Sequence, residues 1–106
     1  MSGLAVVAEA KKYLNKKSEY YCFRFIQHCY EKGAGIRVAN TFSYLLVSGT
    51  GVTKNNLKLG DLIIIHWNLG IFSGNNKMIL APKVVGDRPI ETKLPDSFQA
   101  RRLIQK

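Results

Sequence analysis

Ser18-Glu19-Tyr20-Tyr21-Cys22-Phe23-Arg24-Phe25-Ile26 is the stretch in which a polar, lysine-rich link gives way to an amphipathic helix. A thiol in the first turn of a helix faces unpaired backbone N–H groups and the positive end of the helix dipole, and both favour the thiolate. Cys22 is therefore the candidate nucleophile. The helix that carries it is expected over residues 21–32, stopped by Gly33-Ala34-Gly35. At about 100° per residue, Cys22, Phe25, Ile26 and Cys29 share one face, and Arg24, Gln27, His28 and Glu31 the other.

Upstream, residues 2–15 read as a packing helix with Leu4, Val7, Ala8, Lys11 and Leu14 on one side. Downstream, residues 40–46 read as a short helix capped by Asn40 or Thr41, followed by a Gly-Thr-Gly loop at 49–51. From Leu57 the pattern changes to strands over residues 61–66, 69–72 and 78–81, the last two joined by a turn at 73–76, and residues 98–104 alternate as a final strand. Helices first and sheet second imply an α+β fold, N-terminal helices on a small antiparallel sheet, in one domain spanning residues 1–106.

The chain has 106 residues, 46% of them apolar, and no apolar run approaches the roughly 20 residues of a membrane span. No basic segment precedes an apolar core at the N-terminus, so we expect either a cytoplasmic protein or a piece of a longer exported chain. Cys22 and Cys29 are seven positions apart on one expected helix, about 10.5 Å along its axis. A disulfide needs Cα atoms within about 7 Å, so both are expected to be free thiols.

Sixteen Lys and Arg against seven Asp and Glu give a formal net charge of +9. A domain this basic attracts polyanions: nucleic acid, anionic cell-wall polymers or an acidic protein partner.

A cysteine nucleophile needs a base, and the chain offers only His28 and His66. His28 lies six residues beyond Cys22, about 120° off its face, and reads as a surface helix residue. His66 follows Leu62-Ile63-Ile64-Ile65 and precedes Trp67-Asn68, where a buried strand emerges into a turn; a helix N-terminus packed there brings it toward Cys22. Two cysteines at i and i+7 make a poor zinc set, and no phosphate-loop or dinucleotide glycine pattern occurs, so no metal or other cofactor is expected. Asp61, Asp87, Glu91 and Asp96 read as turn and cap residues.

Over most of its length the chain resembles the NlpC-type branch of the papain-like cysteine peptidases. The resemblance rests on Val6-Val7-Ala8-Glu9-Ala10-Lys11-Lys12-Tyr13-Leu14, Tyr21-Cys22-Phe23-Arg24-Phe25-Ile26, Leu57-Lys58-Leu59-Gly60-Asp61-Leu62-Ile63, Leu69-Gly70-Ile71-Phe72 and Ala100-Arg101-Arg102-Leu103, in that order. It implies a papain-like fold with Cys22 as nucleophile. Tyr21 and Phe23-Arg24 stand where the family has Asp and Ser-Gly, Asn68 falls at the family histidine, and Leu80 at its third polar residue. The expected substitute base is His66, two residues before Asn68 on an extended strand, with Asn68 orienting the imidazole.

The resemblance alone implies a peptidase or amidase of bacterial cell-wall peptides. The charge and the replaced partners direct the primary expectation elsewhere. The chain looks like the small toxin domains at the C-termini of contact-dependent growth inhibition (CdiA-like) proteins, acting as a ribonuclease on tRNA in the cytoplasm of a target cell. In that reading Cys22 and His66 share the proton transfers, Arg24 holds phosphate, and Tyr21 or Trp67 stacks a splayed base. An acidic immunity protein and a host activating factor are then the expected partners. A third expectation is a catalytically inactive binding module of the same fold.

Overall fold

The computed structural model describes residues 2–104. Met1, Gln105 and Lys106 lie outside the described residues, including the start of the N-terminal run and one of the counted lysines. The first helix, α1 (Gly3–Lys11), begins at Ser2, whose hydroxyl accepts from the Ala5 N–H at 3.1 Å. It is shorter than its pattern because the chain turns away after Lys12: Asn15 takes a positive φ of 61°, and its N–H donates to the Pro89 carbonyl. Its buried residues are Val6, Val7 and Ala10, while Leu4 is exposed. The buried stripe is displaced from the expected one because α1 packs on the second helix as well as on the sheet.

That second helix, α2 (Phe23–Ala34), buries Phe25, Ile26, Cys29, Tyr30, Gly33 and Ala34 and closes at Gly35. Gly33 does not end it. A Cβ at Gly33 would lie 2.6 Å from the Cα of Val6, so the missing side chain is what lets the two helices approach. A one-turn helix, α3 (Phe42–Leu45), starts at Thr41, whose side chain accepts from the Tyr44 N–H and which leaves Asn40 free of a capping role.

The sheet has six antiparallel strands rather than four: β1 (Thr50–Gly51), β2 (Leu62–Ile65), β3 (Asn68–Gly74), β4 (Lys77–Leu80), β5 (Ile90–Lys93) and β6 (Gln99–Arg102). Their order is β1-β6-β2-β3-β4-β5, so the last strand inserts beside β2. Leu62, Ile64, Leu69, Ile71 and Ile79 face the helices, and Ile63, Met78 and Ala100 form a smaller core on the opposite face with Leu94. The unbroken Leu62-Ile63-Ile64-Ile65 run follows: β2 is central and buried on both faces.

The turn into β2 is fixed from three sides. Gly60 has φ 89° and lies against Gly3, its carbonyl accepts from the buried Tyr30 hydroxyl, and Asp61 is 2% exposed. Asp61 takes both Nε and Nη2 of Arg102, at 2.9 and 2.8 Å, and also accepts from the Lys58 N–H. It is thus more than a turn residue; it ties the β2 entry to β6 through a bidentate ion pair. The Arg102 guanidinium is held above its ordinary pKa, by the hydrogen bonds to Asp61 more than burial opposes it.

Gly33→Ala forces the Val6 backbone away from α2. We expect a loss of about 1–3 kcal/mol in denaturant unfolding, the usual cost of overpacking a close contact. An unchanged midpoint would show that the α1–α2 approach is not fixed at this residue.

Candidate functional site around Cys22

Cys22 is the N-cap of α2 rather than a residue of its first turn. Its backbone has φ 47° and ψ −121°, a positive-φ conformation costly for a residue with a Cβ. The cause is on either side of it. The Cys22 N–H donates to the Pro82 carbonyl at 2.6 Å, while its own carbonyl already accepts from Ile26 in the helix, so the chain bends sharply at one residue. The side chain makes no capping hydrogen bond.

The thiol is half-buried, and burial pushes its pKa above the ordinary thiol range; the Phe23 backbone N–H facing the sulfur pulls the other way, with less effect. This corrects the expectation that the helix start alone would favour the thiolate. Burial outweighs the helix end here. Cys29 is free too, and full burial raises its thiol much further.

A cleft of about 280 Å³ opens at Cys22, lined by Tyr21, Cys22, Phe23, Arg24, Gln27 and Asn40. Tyr21, Cys22 and Arg24 are thus brought together, with Gln27 and Asn40 as additional polar lining. Gln27 is anchored by donating to the Val38 carbonyl at 3.0 Å. Arg24 is exposed and has no ion-pair partner among the described residues.

Asn68 lies behind the cleft and is fully buried. Its Nδ2 donates to the Ala81 carbonyl at 3.1 Å, and its Oδ1 accepts from the Leu69 N–H at 2.8 Å. The Cys22 backbone and the Asn68 side chain are therefore tied to successive carbonyls of one Ala81-Pro82 step. Gly70 pairs with Leu80, so strand alternation puts Leu80 on the face that Asn68 shares.

His66 and Trp67 form the two-residue turn between β2 and β3, with Ile65 opposite Asn68. Trp67 has φ 62° and is 71% exposed; His66 is exposed with its ring against Trp67. The Trp67 ring meets Phe42, and Phe42 meets Phe23 at a centroid distance of 4.8 Å, so an aromatic row leads from the turn to the lip of the cleft. Among the described residues no hydrogen bond joins His66 to Asn68 or to Cys22, and the Asn68 amide groups are taken by the backbone.

His28, expected at the surface, is partly buried beside α1: its Nε2 lies 3.0 Å from Glu9 Oε2 and 2.8 Å from the Tyr13 hydroxyl. Periodicity along α2 alone does not register a second helix packed on its flank. No cluster of three or more metal-ligating side chains occurs among the described residues, and no helix there is long and apolar enough to cross a membrane.

No family model matches the sequence, and no curated protein matches it significantly. Solved structures do. The NlpC/p60 domain of the peptidoglycan hydrolase SagA superposes with TM-score 0.77 at 23% identity, over 96% of this chain and 100% of that one. The chain has the NlpC/p60 papain-like fold. The NlpC/p60 likeness extends to RipB of Mycobacterium tuberculosis, a peptidoglycan hydrolase, with TM-score 0.80 at 15% identity over 98% of this chain and 65% of that one. It extends also to RipD of the same organism, a non-catalytic NlpC/p60 domain protein adapted to peptidoglycan binding, with TM-score 0.77 at 15% identity over 96% and 97%. These likenesses lend no support to the resemblance to growth-inhibition toxins.

Two measurements check the state of Cys22. Its alkylation by iodoacetamide is expected to reach half its maximal rate above about pH 8.5, the ordinary thiol value; a midpoint below neutrality would contradict the buried thiol. Cys22→Gly is expected to be about 1 kcal/mol more stable than Cys22→Ala, because glycine relieves the positive φ that alanine keeps. Equal stabilities would show that the backbone there is unstrained.

Proposed function

We propose that the chain is a cysteine peptidase or amidase built on the NlpC/p60 fold, acting on the peptide amides of bacterial peptidoglycan with Cys22 as nucleophile. The observation that carries this reading is the strained Cys22 itself. A positive φ is held on a residue poorly suited to it, at an open helix start and on the wall of a cleft, and such strain concentrates where chemistry needs it. SagA and RipB, with the same fold, are peptidoglycan hydrolases.

In this reaction the thiol loses its proton to solvent and the sulfur attacks the amide carbon. The C–N bond breaks as the amine takes a proton from water, and a second water hydrolyses the thioester and frees the thiol. Among the described residues no hydrogen bond holds an imidazole at the sulfur, so the rate follows the thiolate fraction: it rises about tenfold per pH unit up to the raised thiol pKa. His66 is given no part in this reaction.

One observation favours a second reading, a peptide-binding module without catalysis. Asn68, which the sequence resemblance sets at the family histidine's position, has both ends of its amide engaged by the backbone. RipD, with the same fold, is non-catalytic. The ribonuclease reading built on Cys22 and His66 draws no support from the fold neighbours.

Purified peptidoglycan digested with wild-type and Cys22→Ala protein at pH 7 and pH 9 separates these readings. The hydrolase reading predicts soluble muropeptide fragments from the wild type alone, released at least tenfold faster at the higher pH. Binding of both proteins to peptidoglycan with no release at either pH would establish the second reading instead.

A further inference from the structure

We infer that the Glu9–His28 pair is a second acid–base site, whose substrate is RNA and whose target is a ribose 2′-hydroxyl. It stands apart from the Cys22 reading: Arg24 and Gln27 line both clefts, but the acid–base pair is separate from the thiol. Glu9 comes from α1, Tyr13 from the turn after it, Tyr20 from the link to α2, and His28 from α2 itself. The His28 Nε2 lies 3.0 Å from Glu9 Oε2 and 2.8 Å from the Tyr13 hydroxyl, and the Tyr20 ring stacks on the imidazole at 4.4 Å with the planes 15° apart. The Glu9 and His28 side chains are only 13% and 14% exposed.

This arrangement orients one nitrogen and leaves the other available. A carboxylate that accepts from Nε2–H fixes the neutral ring with its lone pair on Nδ1. The Nδ1 atom has no hydrogen-bond partner among the described residues, and it is not among the buried polar atoms that lack one, so it meets solvent. Glu9 is kept below the ordinary carboxylate range: burial opposes this, but the hydrogen bonds from Lys12 and His28 and the charge of Lys12 outweigh it. The carboxylate is therefore ionised at neutral pH and available to hold Nε2–H.

A cleft of about 320 Å³ opens beside the ring, lined by Tyr20, Arg24, Gln27, His28, Glu31 and Lys32. Arg24 and Lys32 supply cations on α2, against the single carboxylate of Glu31. Around the pair, Lys12 at the C-cap of α1 joins Glu9, and Tyr13, Lys17, Glu19 and Tyr20 line the adjoining surface.

Chemistry narrows the substrate. RNA carries its own nucleophile next to phosphorus, so a site with one proton acceptor and flanking cations is sufficient to start cleavage. The step balances as follows: Nδ1 takes the 2′-hydroxyl proton, the 2′-oxygen bonds to phosphorus, and the P–O5′ bond breaks. The departing oxygen is protonated by the imidazolium or by water. The products are a 2′,3′-cyclic phosphate and a 5′-hydroxyl. The net charge of +9, which a peptide site leaves unused, attracts such a substrate.

The test uses the full chain with an end-labelled single-stranded oligoribonucleotide and its deoxy counterpart, comparing wild type, His28→Gln and Lys32→Gln, with unfolding midpoints measured in parallel. We expect cleavage of RNA alone, with cyclic phosphate ends. His28→Gln should lower the rate at least about 100-fold, and the exposed Lys32→Gln several-fold with its midpoint unchanged. Uncut RNA, equal cutting of DNA, a His28→Gln rate equal to wild type, or cleavage lost in Cys22→Ala but kept in His28→Gln would each overturn the assignment. Because the peptidoglycan digestion reads a different substrate and residue, failure of one site is distinguishable from failure of the other.

Discussion

The Ala81-Pro82 step is the joint on which the site depends. Proline has no N–H, so the ladder of β4 cannot continue through it, yet its carbonyl remains available to another element. Ala81 still donates to the Leu69 carbonyl at 2.9 Å, and its own carbonyl takes the Asn68 side chain. The Pro82 carbonyl takes the Cys22 N–H. One dipeptide thereby fastens the start of α2 to the start of β3. Loss of that joint would free the Cys22 N–H that helps hold its positive φ and detach the Asn68 amide.

The same joint sets the balance at the sulfur. Pulling α2 down on the strand end half-buries Cys22, and burial disfavours the thiolate more than the helix start favours it. A positive group beside the sulfur would reverse this. Asn68 offers hydrogen bonds and no charge, and both ends of its amide are already engaged by the backbone.

Much of this architecture was legible in the sequence. The Cys22 helix followed from its apolar spacing, and β2 from Leu62-Ile63-Ile64-Ile65, because burial on both faces leaves an unbroken apolar run. The ordered motifs identified the papain-like α+β class. The two added strands were not legible for physical reasons: β1 has only two exposed residues, and β5, Ile-Glu-Thr-Lys, lacks a fully buried face and follows Gly86 and Pro89. The insertion of β6 beside β2 is a tertiary choice that no local pattern records. At the site, Tyr21, Cys22 and Arg24 converge on one cleft near the expected nucleophile. The shared face of Cys22, Phe25, Ile26 and Cys29 already turned the thiol toward the core; two things escaped the sequence, that burial outweighs the helix start at the sulfur, and the setting of His28. The latter comes from α1 lying across a face of α2 that looks solvent-exposed when α2 is read alone.

Because successive carbonyls of Ala81-Pro82 hold the Cys22 backbone and the Asn68 amide, a cationic side chain at position 68 should be felt at the thiol. Titrating Cys22 in Asn68→His protein, by thiolate absorbance with Cys29 replaced by alanine in variant and reference alike, measures this. The Cys22 pKa is expected to fall from above the ordinary thiol value to below it. A pKa that stays above that value in a folded Asn68→His protein would contradict the coupling through Ala81-Pro82.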